Sequence, residues 1–422
     1  MKVRLRRTIL LFLCFILIAA VSLPAVFAPK QAPKNTPSDI VRTDTAEKQP
    51  APSAAPSCDD SGSDSASPSG GKAPSNFKKL QSKYNLVEIP TYDGSYQLTH
   101  PKVLYFSNGW NGYKYWMSMT PYPYERDMYE NPSIVVSNDG KKWGIPAGLK
   151  NPVSGIPSDV AYGGHYSDPQ LVLCSNTMEL WYRYNPALVH PDKQPEFKDS
   201  SARVVKSCSS SSQSGKPQSG SKNQTPRKKF WRRANNSLNI YYRKTTTDGI
   251  HWSAAEKLLQ GSDGYLSMCV NYENGMYKIW YATYGGDLFT SVSRNARDWS
   301  VPVRCTVPFA KGLECYHQDM IKYNSEYYLL QTAEKVSNYT FQLYLFRSED
   351  GVRFTPVSQI FPSKDTALWK DISFYRSTLF VKDNKLEFYI SLIIPKLKWY
   401  ITHMTASLPK ITAGKAGTAS KL

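Results

Sequence analysis

Read as a pattern of apolar and polar positions, the chain from Tyr84 onward is a series of short alternating or β-rich runs ending in tight turns. Four runs, 133–136, 238–243, 288–292 and 342–346, each lead into a variant of one motif. The first copy is Ser137-Asn138-Asp139-Gly140-Lys141-Lys142-Trp143. Thr246, Asp248, Gly249 and Trp252 repeat it, as do Ser348, Asp350, Gly351 and Phe354, while Ser293, Asn295, Ala296 and Trp299 form a degenerate copy. Asp-Gly after a β-rich run signals a hairpin, because glycine takes a positive φ without steric cost. The aromatic residue that follows can fold back over the turn and bury its ring. One such unit cannot bury its own face, so repetition at several tens of residues predicts stacked or radially arranged sheets.

Grouping the runs gives five units, with first strands at 100–107, 168–173, 266–272, 318–323 and 372–382. Polar bends such as Asn108-Gly109 and Asp383-Asn384 join first strands to second ones. Four units close with the turn motif and a fourth strand, whereas the fifth stops after its third. Residues 84–89, ahead of the first unit, can complete it and tie the ring. The expected fold is therefore all-β, a five-bladed β-propeller over 83–408 with a C-terminal tail at 409–422. Solenoid stacking fits less well, given the irregular unit lengths.

The amino-terminal segment changes the picture. Four basic residues within Met1 to Arg7 precede an apolar run over 8–28, the pattern of a signal peptide or an uncleaved signal anchor. Residues 29–82, rich in Pro, Ala, Ser, Lys and Asp, read as a disordered linker. The folded part is thus expected outside the cytoplasmic membrane, anchored to it or secreted. The second unit is interrupted by a disordered basic insertion at about 200–236. Residues 198–244 hold twelve basic side chains against the single acid Asp199, so this stretch carries over half of the net charge of +18. The charge belongs to a loop and does not argue for nucleic-acid binding. With Phe230 and Trp231 inside it, the loop can meet an anionic polymer or lipid head groups. Cys305 and Cys315 could close a short loop; Cys174 and Cys269 fall in core strands. No cofactor and no metal is expected, because the cysteines lack metal spacing and the six histidines are scattered.

In a propeller the first strands line the central channel, and their beginnings open on one face. His100, Asp168, His317 with Asp319, and Asp371 hold those positions. Strand-initial Asp168-Pro169, five four-stranded units and the Ser-x-Asp-Gly-x-x-Trp turn make the chain resemble the five-bladed glycoside hydrolases, family 43 and its invertase-like relatives. The resemblance spans roughly Tyr84 to Leu408. It implies three inward acids on successive blades: a base, a pKa-tuning Asp and an acid Glu. Asp168 matches the second, whereas His100 stands where the base is implied, and Ser267 or a neighbour where the acid is.

The residues themselves nominate His100, Asp168, Asp319, Asp371 and Glu130 as catalytic candidates. Glu130 comes from the loop that overhangs the same mouth. Trp110, Tyr124, Arg126, His165, Tyr166, His317 and Trp369 are the substrate-binding candidates. Two readings follow. One is a glycoside hydrolase-like enzyme that cleaves a polysaccharide or cell-wall glycan in a carboxylate-lined cleft. The other is a non-catalytic propeller that binds the same polymer.

Overall fold

The computed structural model describes residues 73–409 apart from 74, 188–237, 262–264, 339, 364–365 and 370–371. The expected signal or anchor segment, the linker as far as residue 72, the basic insertion and the tail from residue 410 lie outside the described residues, as does Asp371.

Five antiparallel sheets form the blades of the propeller. Blade 1 comprises β1 (Leu98–Trp110), β2 (Tyr113–Pro121) and β3 (Ser133–Ser137). Blade 2 comprises β4 (His165–Cys174), β5 (Thr177–Asn185), β6 (Asn239–Thr246) and β7 (Glu256–Gly261). β8 (Leu266–Glu273), β9 (Met276–Ala282), β10 (Leu288–Ser293) and β11 (Val303–Arg304) make blade 3. Blade 4 is β12 (Leu313–Tyr323), β13 (Glu326–Lys335), β14 (Thr340–Ser348) and β15 (Thr355–Gln359). Blade 5 is β16 (Ser373–Phe374), β17 (Thr378–Lys382), β18 (Lys385–Ile394) and β19 (Lys398–Ser407).

The repeated turn does more than reverse the chain. In the first copy Gly140 N–H donates to Ser137 Oγ at 2.9 Å, and Asp139 Oδ1 accepts from the N–H groups of Lys141 and Lys142, both at 2.7 Å. Trp143 Nε1 donates back to the Gly140 carbonyl at 3.2 Å, which folds the ring over the turn. Thr246, Asp248 and Trp252 repeat these bonds. Each turn also docks on an aromatic residue in the second strand of the preceding blade. The Gly140 carbonyl accepts from Tyr389 Oη at 2.6 Å, the Gly351 carbonyl accepts from Trp280 Nε1 at 2.8 Å, and Trp299 lies 6.4 Å from Trp181. At Gly249, with φ +77°, a Cβ would sit 2.1 Å from the Trp116 ring, so close approach as well as backbone angle demands glycine. The sequence repeat is thus a clasp between blades.

Five expectations change. Blade 1 has no fourth strand; its edge is one bridge between Val136 and Gly144. The inner strand of blade 5 breaks into β16 and β17, with Tyr375, Arg376 and Ser377 between them. Ring closure by 84–89 shrinks to a bridge between Leu86 and Thr402, reinforced by Val87 N–H to the Ile401 carbonyl at 2.8 Å. The chain reaches that bridge from a helix, α1 (Ser75–Tyr84), which replaces the end of the expected linker. Its Phe77 is fully buried and meets Tyr400 edge-on at 5.4 Å, apolar burial that a polar linker lacks. Cys305 and Cys315 are buried free thiols in the core between blades 3 and 4, where they act as small apolar residues and close no loop.

Candidate functional site

The site begins with a backbone irregularity. At the mouth end of the inner strands, ladder pairing breaks between Thr99 and Lys102, Ser167 and Gln170, Leu266 and Cys269, and Cys315 and His317. A bulge turns a strand locally and re-aims one side chain. In the first three blades the re-aimed residue is left-handed: His100 at φ 56°, Asp168 at 50° and Ser267 at 49°. None of these is glycine, so each conformation costs of order 1–3 kcal/mol and persists only because the surroundings hold it.

Asp168 is the hub. Its carboxylate is fully buried, with Arg183 Nε 3.0 Å from Oδ2 and Arg376 Nη1 2.8 Å from Oδ1. His100 Nε2 lies 3.5 Å from Oδ1 and His317 Nδ1 3.8 Å. Burial alone raises the Asp168 carboxyl, but the two guanidiniums and then the imidazoles outweigh it and hold it well below the usual carboxylate range. Burial pushes His100 down to about 3 and His317 well below its ordinary value, so both rings are neutral near pH 7.

The two rings are held from behind. His100 Nδ1 is 3.0 Å from both Thr120 Oγ1 and Glu130 Oε1, and His317 Nδ1 is 2.6 Å from Ser267 Oγ. Their Nε2 atoms and both Asp168 oxygens are buried without a well-aligned hydrogen bond, the guanidiniums approaching within ion-pair distance but off the bonding directions. Glu130 reaches in from the loop between β2 and β3, with Oε2 3.9 Å from His165 Nε2. Burial, then the charges of Asp127 and Asp168, raises its carboxyl well above the usual range. Tyr375 packs beside both histidines, 4.2 Å from His317 and 5.4 Å from His100, ring to ring.

Of the sequence candidates, His100, Asp168, Glu130, His165 and His317 converge. Asp319 does not join them. It lies two residues further along its strand and is consumed by Lys102 at 2.7 Å, Thr378 Oγ1 at 2.7 Å and the Leu379 N–H at 3.2 Å, a buried tie between blades 1, 4 and 5. Trp110 ends β1, ten residues from His100, or about 30 Å along an extended strand. There it packs edge-on against Trp116 at 5.0 Å and donates to Asn176. Trp369 is a core residue beside Tyr84, and Tyr166 packs against Tyr182 and Tyr184 on blade 2. Tyr124 and Arg126 are exposed on the overhanging loop, where Arg126 covers the Tyr129 ring at 5.2 Å.

Arg183, Arg376 and Tyr375 were not legible beforehand. Arg183 ends a second strand, and the other two occupy the break in a strand that reads as continuous. His100, Asp168 and His317 each offer an atom within 4.8 Å of the others, a grouping that the linear spacing of the histidines conceals. The donor set fits a divalent first-row cation: two neutral imidazoles with unpartnered Nε2 atoms, each oriented through Nδ1, and one ionised carboxylate.

No protein-family model matches the chain. A stretch of 76 residues is 45% identical to the A type blood N-acetyl-α-D-galactosamine deacetylase of Flavonifractor plautii, covering 18% of this chain and a tenth of that protein's length. The solved N-acetylgalactosamine deacetylase of F. plautii, in complex with blood group B trisaccharide, superposes with a TM-score of 0.56 and 19% identity over 76% of this chain and 94% of that one. An exo-1,5-α-L-arabinanase from a bovine ruminal metagenomic library aligns with a TM-score of 0.46 and 12% identity, over 74% of this chain and 94% of that one. The family 43 protein BlXynB of Bacillus licheniformis gives 0.45 and 12% over 73% and 52%. The chain is thus a five-bladed β-propeller that shares its fold with the F. plautii deacetylase.

Proposed function

We propose that this propeller is a glycan deacylase, hydrolysing an acetamido-type group on a sugar residue at the mouth of its central channel. The observation that carries the reading is the pair of imidazoles beside the Asp168 carboxylate, His100 through Nε2 at 3.5 Å and His317 through Nδ1 at 3.8 Å, each with a buried Nε2 that has no hydrogen-bond partner. Two neutral imidazoles suit acyl transfer and supply nothing to an oxocarbenium ion, for which carboxylates are needed. Of the strand-initial acids, Asp319 is bound to Lys102 and Asp168 to two guanidiniums, so neither is free to serve Glu130 as a glycosidase's second carboxyl. The local identity to a sugar deacetylase points the same way.

His100, Asp168 and His317 are the residues that would hold a divalent cation, which when bound supplies Lewis-acid activation of water and of the acyl oxygen. Thr120, Glu130 and Ser267 fix the two rings through Nδ1, so that each Nε2 keeps its lone pair. Arg183 and Arg376 keep Asp168 ionised and locked. Glu130, whose carboxyl burial has raised, takes a proton from the attacking water and returns it to the leaving nitrogen. Water adds to the acyl carbon, the C–N bond breaks, and the products are a carboxylic acid and a free amine. The Tyr375 ring, packed against both imidazoles, forms a wall beside the acyl group.

The experiment scores acetate and new reducing ends separately on a panel of N-acetylated and unacetylated oligosaccharides, with and without chelator. Acetate release that chelation abolishes is the expected result. Reducing-end release, which the family 43 fold also accommodates, overturns the reading in favour of glycosidic cleavage. Binding with neither product makes the chain a glycan-binding propeller.

A further inference from the structure

A pocket of about 490 Å³ lies between blades 4 and 5, on the face where the inner strands begin. Its lining comes from the end of β13, the start of β14, the end of β15 and the start of β16. We infer that it is an accessory subsite for a second or third sugar of a neutral oligosaccharide whose acylated residue occupies the His100–His317 cluster. The inference rests on the deacylase reading and extends it to chain length.

Three observations support it. The pocket's size is that of ordinary small-ligand sites. Its walls combine the aromatic faces of Phe341 and Phe361 with the amides of Asn338 and Gln359, with Lys335 at the edge, over a floor that includes the core residue Trp369. A pyranose presents apolar C–H faces and a rim of vicinal hydroxyls, which aromatic rings and amide groups respectively match. Neither a phosphate nor a carboxylate ligand would find more than the single cation Lys335 among these residues. The third observation is position. Phe341 touches Tyr375 edge-on at 5.6 Å, and Tyr375 touches His317 at 4.2 Å, so two ring contacts lead from the pocket wall to the reactive cluster. Tyr316 braces this wall, 4.9 Å from Phe341 and 4.4 Å from His317. The floor is rigid, because Trp369 and Phe374 belong to the core shared by blades 4 and 5.

The test uses N-acetylglucosamine and N-acetylgalactosamine oligosaccharides of one to four residues. In wild type, kcat/KM for acetate release rises by about tenfold or more from the monosaccharide to the longest chain, one good contact set's worth. In Gln359→Ala and Phe361→Ala, each checked by thermal melting, that rise collapses to less than about twofold. A chain-length dependence that both variants retain overturns the subsite, as does a wild type indifferent to length. Calorimetric titration of the same tetrasaccharides separates the two claims. If no acetate is released but wild type binds the tetrasaccharide at least about tenfold tighter than both variants, the deacylase reading fails and the subsite stands. Equal binding by wild type and both variants removes the subsite, whatever the chemistry.

Discussion

The outer turns and the inner-strand starts are both repeated from blade to blade, yet they repeat different things. At the outer turns the side chains recur: a hydroxyl, an Asp or Asn, a left-handed residue and an aromatic ring, with the same bonds at Ser137, Thr246 and Ser348. At the inner starts only the backbone recurs, as a bulge whose left-handed residue is His100, Asp168 or Ser267 in turn. A constraint that is the same in every blade selects the same residue, and here it is the clasp on the neighbouring blade. A backbone device with changing occupants places different side chains around one axis. Repeated chemistry therefore marks architecture in this molecule, and repeated geometry with varied chemistry marks the candidate site.

The largest expected effect tests the inner region. Asp168→Ala strands two buried guanidiniums without a counter-charge, so urea denaturation should register a loss of about 3–5 kcal/mol together with all acetate release. A variant as stable as wild type would mean that Arg183 and Arg376 are not held by this carboxylate. At the outer region Trp143→Ala should cost nearly as much, about 3–5 kcal/mol, because a buried ring between Tyr115 and Tyr389 is removed. Here, however, kcat/KM of the folded fraction should stay within about twofold; a selective loss of turnover would break the division between the regions. Gly249→Ala comes next. Its new methyl group must displace the Trp116 ring, and a melting curve should report a loss of about 1–3 kcal/mol. The smallest effect is electrostatic. The Arg353 N–H above all, then those of Val352 and the Ser348 hydroxyl, draw Asp350 down to about 2 despite some opposing burial. A depressed carboxyl stabilises the fold above its unfolded value near 4, and that contribution disappears as pH falls toward 2. Asp350→Asn should accordingly melt slightly below wild type at pH 7 and together with it at pH 2; a constant gap would assign the difference to something other than charge.

The fold was largely legible because its signals are local. Asp139-Gly140 and Asp248-Gly249 announce their turns through backbone angles, and the runs around them alternate over a few residues. Strand ends blurred where tertiary contacts decide: Gly144 makes one bridge in place of a strand, and Phe77 turns the end of a polar segment into a docked helix. The site was legible in part. Asp168, His100 and His317 follow from strand-initial position once a propeller is assumed, and Glu130 from its loop. Asp319 has the same credentials, but its fate depends on Lys102, 217 positions away, which no local pattern reveals. Arg376 was hidden for a related reason: it fills a strand break that hydropathy reads through. Trp110 and Trp369 show the converse, since an aromatic residue at a hairpin end or connection serves the core as readily as a ligand.

The bridge between Leu86 and Thr402 bears on how the ring is made. Thr402 Oγ1 also donates to the Tyr84 carbonyl, a bond between residues 318 positions apart. During synthesis blades 1 to 4 can each assemble from neighbouring chain, but this closure must wait until β19 has emerged. Contacts of such separation carry a high loop-closure cost and form late. Until then β18 has an open edge, able to pair with another unfinished chain. Chains truncated before residue 398 should therefore accumulate as aggregates, and the slowest folding phase should be the one that brings Phe77 and Leu86 against blade 5.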